Sequence, residues 1–103
     1  MKILSILTIS AVMALAAQPA LAADADAGKA AFTSKGCAGC HGDGGAAPTP
    51  GNPKLAGKGA AAIKKALADF KSGARKNPTM NAMAGMLSDA DVDNIAAYLG
   101  AQK

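Results

Sequence analysis

The chain has 103 residues, with 11 Lys and Arg against seven Asp and Glu and a formal net charge of +4. That length makes one domain. The positive excess is too small and too dispersed to form a nucleic-acid patch, and no aromatic residues interleave with it. Phe32, Phe70 and Tyr98 are the only aromatic residues, and tryptophan is absent. Alanine dominates the apolar fraction and contributes little area to burial, so the side chains alone make a meagre core.

Residues 1–22 read as an address. Lys2 gives a short basic start, Ile3 to Ala17 runs without charge, and Gln18-Pro19 breaks any helix. Ala20-Leu21-Ala22 then has the small-x-small form of a signal peptidase site. The apolar run is shorter than the roughly 20 residues that span a bilayer comfortably. A cleaved signal peptide is therefore expected in preference to a retained anchor. Cleavage after Ala22 leaves 23–103 as the mature domain, with no membrane span.

Asp24 and Asp26 open a helical stretch expected to reach about Lys35, where Gly36 stops it. Gly28, Ala31 and Phe32 could mark a close-packing face on it. Next comes Cys37-Ala38-Gly39-Cys40-His41, which holds every cysteine and the single histidine. The spacing puts both sulfurs on one side of a single helical turn. This is the attachment signature for a c-type haem, in which each thiol forms a thioether with a vinyl group. His41 can then offer a ring nitrogen to the iron.

Three plainer readings compete with haem attachment. A thioredoxin-like redox pair expects a βαβ pattern that this chain lacks. Structural zinc takes four protein ligands, and only three Cys or His side chains exist here. A disulfide between Cys37 and Cys40 remains open in an oxidising compartment. A haem would also supply the large apolar disc that a small alanine-rich domain is missing, so the unloaded chain is expected to be largely unfolded.

Gly42 to Lys58 carries glycine at 42, 44, 45, 51 and 57 and proline at 48, 50 and 53. A loop of that length is unusual unless it serves a site; here it must turn around the edge of the haem. A second helix is expected over about Ala60 to Lys71, with Ile63, Ala66, Leu67 and Phe70 at i, i+3, i+4 and i+7. A second loop, Ser72 to Leu87, contains Met80, Met83 and Met86, any of which could place a thioether on the iron. Pro78 disfavours helix at Asn77 and stiffens the approach to Met80, but the residues alone do not rank the three methionines. The last helix has Ser88 as its cap, Asp89 and Asp91 in its first turn, and Val92, Ile95, Ala96 and Leu99 as one apolar stripe. The expected class is all-α, with three main helices and two long loops.

Taken together, Ala27-Gly28-Lys29 with Phe32, the Cys37–Gly42 motif, Asn52-Pro53-Lys54-Leu55-Ala56-Gly57, Met80 and the Leu87-Ser88-Asp89 helix start resemble the class I c-type cytochromes. The resemblance is greatest to small bacterial ones and to single halves of the dihaem bacterial cytochromes. It implies the cytochrome c fold, with helices and long loops wrapped around one covalent haem c per chain. It implies Cys37 and Cys40 as the thioether residues, and His41 and Met80 as axial ligands of the iron. Met80 is singled out because it lies eight residues before the serine of the last helix start. Pro53, whose plainer role is that of a turn proline, is implied to accept the second ring N–H of His41. Gly28, Phe32 and Tyr98 are implied to form the crossing of the first and last helices.

The function so implied is a soluble periplasmic electron carrier with no catalytic residues. Its expected partners are redox proteins, such as a membrane oxidoreductase, terminal oxidase or reductase, met transiently by a monomer. An enzyme or gas sensor would need an open sixth position on the iron, and no second histidine serves one. A dedicated subunit of a larger respiratory complex is a third reading.

Overall fold

A computed structural model describes residues 23–103; the signal peptide expected over 1–22 lies outside the described residues. Helix α1 spans Ala25–Ser34, α2 Cys37–His41, α3 Ala60–Ser72, α4 Pro78–Gly85 and α5 Asp89–Gly100. No strand occurs among the described residues, and the expected all-α class is the one observed.

Helix α1 starts at Asp24, whose carboxylate caps it. That carboxylate accepts from the backbone N–H groups of Asp26 at 2.9 Å and Ala27 at 3.2 Å. The Asp24 N–H donates in turn to Asn94 Oδ1 at 2.8 Å, which pins the start of α1 against α5. One turn later Gly28 meets the α5 backbone so closely that a Cβ there would overlap the Asn94 carbonyl group. No side chain fits at that point. Phe32 then packs on Tyr98, with ring centroids 5.7 Å apart and planes tilted by 56°. Tilted pairs of this kind are favoured over a face-to-face stack. The expected crossing of the first and last helices is thus built from Gly28, Phe32 and Tyr98.

At the end of α1 the backbone enters the left-handed region at Gly36, φ 81°. Glycine takes that conformation without penalty, and the chain turns at once into α2. Helix α3 ends similarly at Gly73, φ 82°. Its residue Ile63 faces the core, while Leu67 and Phe70 are half-buried.

The core consists of Phe32, Ile63, Leu87, Val92, Ile95, Ala96 and Leu99, of which Phe32, Ile95 and Leu99 are the most deeply buried large side chains. Most of its members lie on α5 or just before it, at the positions expected for the apolar stripe. Each large member contributes about 1.5–3 kcal/mol relative to exposure.

The second loop differs from expectation. Residues 78–85 form α4, so the Met80 region is helical, against the loop expected over Ser72 to Leu87. Asn77 is extended, as a residue before proline should be. Its side chain accepts from the Met80 N–H at 3.0 Å. Pro78 occupies the first turn, where its missing N–H costs nothing. The pair stiffens the approach and also begins a helix.

Helix α5 opens with a capping box. Ser88 Oγ accepts from Asp91 N–H at 3.0 Å, and the Asp91 carboxylate accepts from Ser88 N–H at 3.1 Å. The Ser88 backbone N–H holds the Asp91 carboxyl below its ordinary range; burial opposes it, and the Ser88 hydroxyl with the charges of Lys35 and Lys71 lowers it further. A carboxyl lowered by folding adds stability above its unfolded pKa and loses it as pH falls through the folded value. Asp91→Asn should therefore lower the melting temperature at neutral pH. The gap from wild type should narrow as the pH is taken down through the acidic range, as read by circular dichroism.

Candidate functional site

Helix α2 sets Cys37 and Cys40 at i and i+3, neighbouring positions on one helical face. Both are free thiols, Cys37 half-buried and Cys40 exposed. Burial pushes the Cys37 thiol up, its own backbone N–H pulls the other way, and the neighbouring Cys40 raises it further.

His41 closes α2 and is only 6% exposed. Its Nδ1 lies 2.9 Å from the Pro53 carbonyl oxygen. A carbonyl only accepts, so Nδ1 carries the hydrogen, and in the neutral ring Nε2 is the nitrogen with the free lone pair. The tautomer follows from that one contact.

Pro53 is held in reach by a relay of short bonds. Thr49 N–H and Thr49 Oγ1 both donate to the Cys40 carbonyl, at 3.0 and 3.3 Å. Asn52 Nδ2 donates to Thr49 Oγ1 at 2.7 Å, and the Asn52 N–H to the Thr49 carbonyl at 3.1 Å. Earlier in the loop, the Gly45 carbonyl accepts from both Leu55 N–H and Ala56 N–H, at 2.8 and 3.1 Å. The loop is closed on itself and on α2.

Met80 is half-buried in the first turn of α4, and His41 and Met80 lie close to each other. Met83, three residues on, is also half-buried; its methyl carbon lies 3.9 Å from where a Gly36 Cβ would be. Met86 is 56% exposed and faces away from cover.

Two thiols, an oriented imidazole and nearby thioethers are the donor set of a covalent haem with one nitrogen and one sulfur ligand. Around them Cys37, Ala38, Leu55 and Leu67 pack against the core yet remain partly exposed, as the walls of a site for a flat apolar group would. The residues fit the group. A separate groove of about 390 Å³ lies between α3 and α5, lined by Lys64, Ala68, Lys71, Asp89, Val92 and Asp93. It contains none of these donors. Lys64–Asp93 at 2.8 Å and Lys71–Asp89 at 3.5 Å bridge it, and we read it as a packing seam.

The pattern of the family described as cytochrome c matches residues 25–103. The chain belongs to the cytochrome c family. It is 43% identical to cytochrome c4 of Pseudomonas aeruginosa over 82 residues, covering 80% of this chain and 40% of that protein. It is 48% identical to the thiosulfate dehydrogenase electron acceptor of Stutzerimonas stutzeri over 66 residues, covering 63% of this chain and 31% of that protein. Cytochrome c6 of a Picosynechococcus species is 37% identical over 114 residues, spanning 98% of this chain and 93% of its own. The chain thus spans less than half the length of the first two relatives. Covalent haem c is the cofactor of this family, and Cys37, Cys40 and His41 form its attachment motif here.

Sequence reasoning gave no side-chain bonding role to Thr49, Asn52, Asn77 or Lys71. Lys71 Nζ donates to the Leu87 carbonyl at 2.6 Å, fastening the end of α3 to the turn between α4 and α5. Thr49 precedes Pro50 and stands three residues before Asn52, a turn-like spacing that hints at local side-chain bonding. The Cys40 and Leu87 carbonyls that Thr49 and Lys71 reach leave no sequence signal. Thr49→Val removes a hydroxyl that both accepts and donates. It should lower the unfolding free energy by about 1–2 kcal/mol in a urea titration of the loaded protein, with the slope unchanged.

Proposed function

We propose that this cytochrome c domain is an exported electron carrier of the periplasm. In this reading residues 1–22 are the cleaved signal peptide and residues 23–103 the mature, monomeric domain. Cys37 and Cys40 tether one haem, and His41 and Met80 are its axial ligands. When bound, the haem supplies an iron that accepts and releases one electron.

The observation that carries the reading is the Nδ1–Pro53 contact of 2.9 Å, which supports His41 as a ligand by leaving its opposite nitrogen free to face a metal. The same contact fixes the ring plane and raises the basicity of the free nitrogen. Met80 is favoured as the second ligand by its position, partly covered in the capped first turn of α4, whereas Met86 is 56% exposed. A neutral thioether keeps its ligation through a change of oxidation state, and two protein ligands leave the iron no place for substrate. The role of the protein is then to hold geometry nearly constant and the site largely apolar. No side chain is assigned to acid, base or nucleophilic chemistry, so the domain is not an enzyme in this reading.

Partners are redox proteins met transiently, such as a membrane oxidoreductase, terminal oxidase or reductase. One relative is named as the electron acceptor of a dehydrogenase, which accords with a carrier role. No helix among the described residues is long and apolar enough to cross a membrane.

The test is the absorption spectrum of loaded protein, oxidised and reduced, with and without carbon monoxide. Wild type should be low-spin, show the weak long-wavelength band of methionine–ferric ligation, and ignore the gas. Met80→Ala should keep its haem, lose the band and bind carbon monoxide readily, while Met83→Ala keeps the wild-type spectrum; the reverse pattern would move the ligand to Met83. Cys37→Ala combined with Cys40→Ala should abolish covalent haem and cooperative unfolding by circular dichroism. A well-folded haem-free domain would refute the view that the haem completes the core.

A further inference from the structure

Helix α4 is weakly anchored by apolar contact. It has eight residues, and Ala84 is the only one fully buried. Helices that short are marginal in water without tertiary support. Polar bonds therefore have a share in setting where α4, and Met80 with it, stands.

The strongest support comes from Asn81, the residue after Met80. Its Nδ2 group donates one hydrogen to the Phe70 carbonyl at 2.8 Å and the other to the Arg75 carbonyl at 2.9 Å. Its Oδ1 accepts from the Asn77 N–H at 3.0 Å. Both donors and the oxygen of the amide are therefore engaged. The Phe70 carbonyl belongs to the last turn of α3, where it also accepts from the capping Gly73 N–H at 3.3 Å. The chain between the helices is drawn to the same point. Arg75 N–H donates to the Asp69 carbonyl at 3.0 Å, and the Arg75 guanidinium lies 4.8 Å from the centre of the Phe70 ring. At that distance the cation is attracted by the face of the ring.

A continuous set of bonds thus runs from the end of α3 to the Met80 backbone. Phe70 and Arg75 carbonyls hold Asn81, Asn81 holds the Asn77 N–H, and the Asn77 side chain holds the Met80 N–H at 3.0 Å. We infer that Asn81 is a positioning residue for the sixth ligand: its amide clamps α4 to the end of α3 and so keeps Met80 at the iron. The inference rests on the assignment of Met80 as that ligand. Asn81 touches neither the iron nor the thioether in this scheme, and works through the backbone that carries Met80.

The clamp can be tested by imidazole titration of the loaded ferric protein, because exogenous imidazole competes with methionine for the iron. Asn81→Ala should keep covalent haem, weaken the long-wavelength band and bind imidazole at least about tenfold more tightly, since all three hydrogen bonds of the amide are lost. Asn81→Asp should do the same, since its carboxylate can still accept from Asn77 but cannot donate to the two carbonyls. Asn81→Ser, which retains one donor, provides the readout if the other two fail to fold, with an intermediate affinity expected. Variants that melt earlier but keep wild-type band and imidazole affinity would show a merely structural role and overturn the inference. Met80→Ala is measured alongside. If it retains the band, the ligand assignment fails and the clamp fails with it. If it loses the band while the Asn81 variants bind imidazole as wild type does, the clamp alone fails.

Discussion

The approach of α1 to α5 at Gly28 is the constraint from which the rest of the arrangement follows. With no side chain between them, the backbone of α1 rests on the Asn94 carbonyl of α5, and Phe32 is carried against Tyr98. The angle and height of that crossing determine where α1 ends. Gly36 then redirects the chain within one residue, so the position of Cys37, Cys40 and His41 is inherited from the crossing. A methyl group at Gly28 would have to displace main-chain atoms rather than a flexible side chain, and its effect would be felt at α2.

The other side of the site is made differently. Among their large apolar side chains the segments 42–58 and 73–88 send only Leu87 fully into the core, and both are fastened by side chains reaching main-chain carbonyls. Thr49 reaches Cys40, Asn81 reaches Phe70 and Arg75, and Lys71 reaches Leu87. Such bonds are individually modest, but each ties irregular backbone to a main-chain carbonyl at a defined place. Among the described residues no buried side-chain nitrogen or oxygen lacks a partner. A site assembled this way can hold irregular backbone against a flat apolar group without needing a large core of its own.

The parts legible in the sequence are those carried by local rules. The Cys-x-x-Cys-His spacing, the Ser88 cap and the apolar stripes of α3 and α5 each depend on residues within a turn or two of one another. Helix α3 ends at Ser72 rather than Lys71, an ordinary discrepancy at a helix terminus. Helix α4 is not legible because Asn77-Pro78 reads equally as the end of helical structure and as its beginning, and the short segment behind it has no strong apolar period. The contact between His41 and the Pro53 carbonyl is expected from resemblance alone, since a carbonyl has no identity that the sequence could reveal. The roles of Thr49, Asn81 and Lys71 depend on where distant backbone comes to lie.

The bond between Asp24 and Asn94 joins positions 70 residues apart, and the crossing beside it unites the first helix with the last. Contacts of such separation carry the loop-closure cost of nearly the whole domain before they return any stability. A chain delivered N-terminus first therefore presents residues 37–41 while 89–100 have yet to arrive. During that interval the two thiols stand in an open, unclosed polypeptide, accessible to whatever machinery modifies them. The order of the elements along the chain keeps the attachment site reachable until the fold has the means to shut.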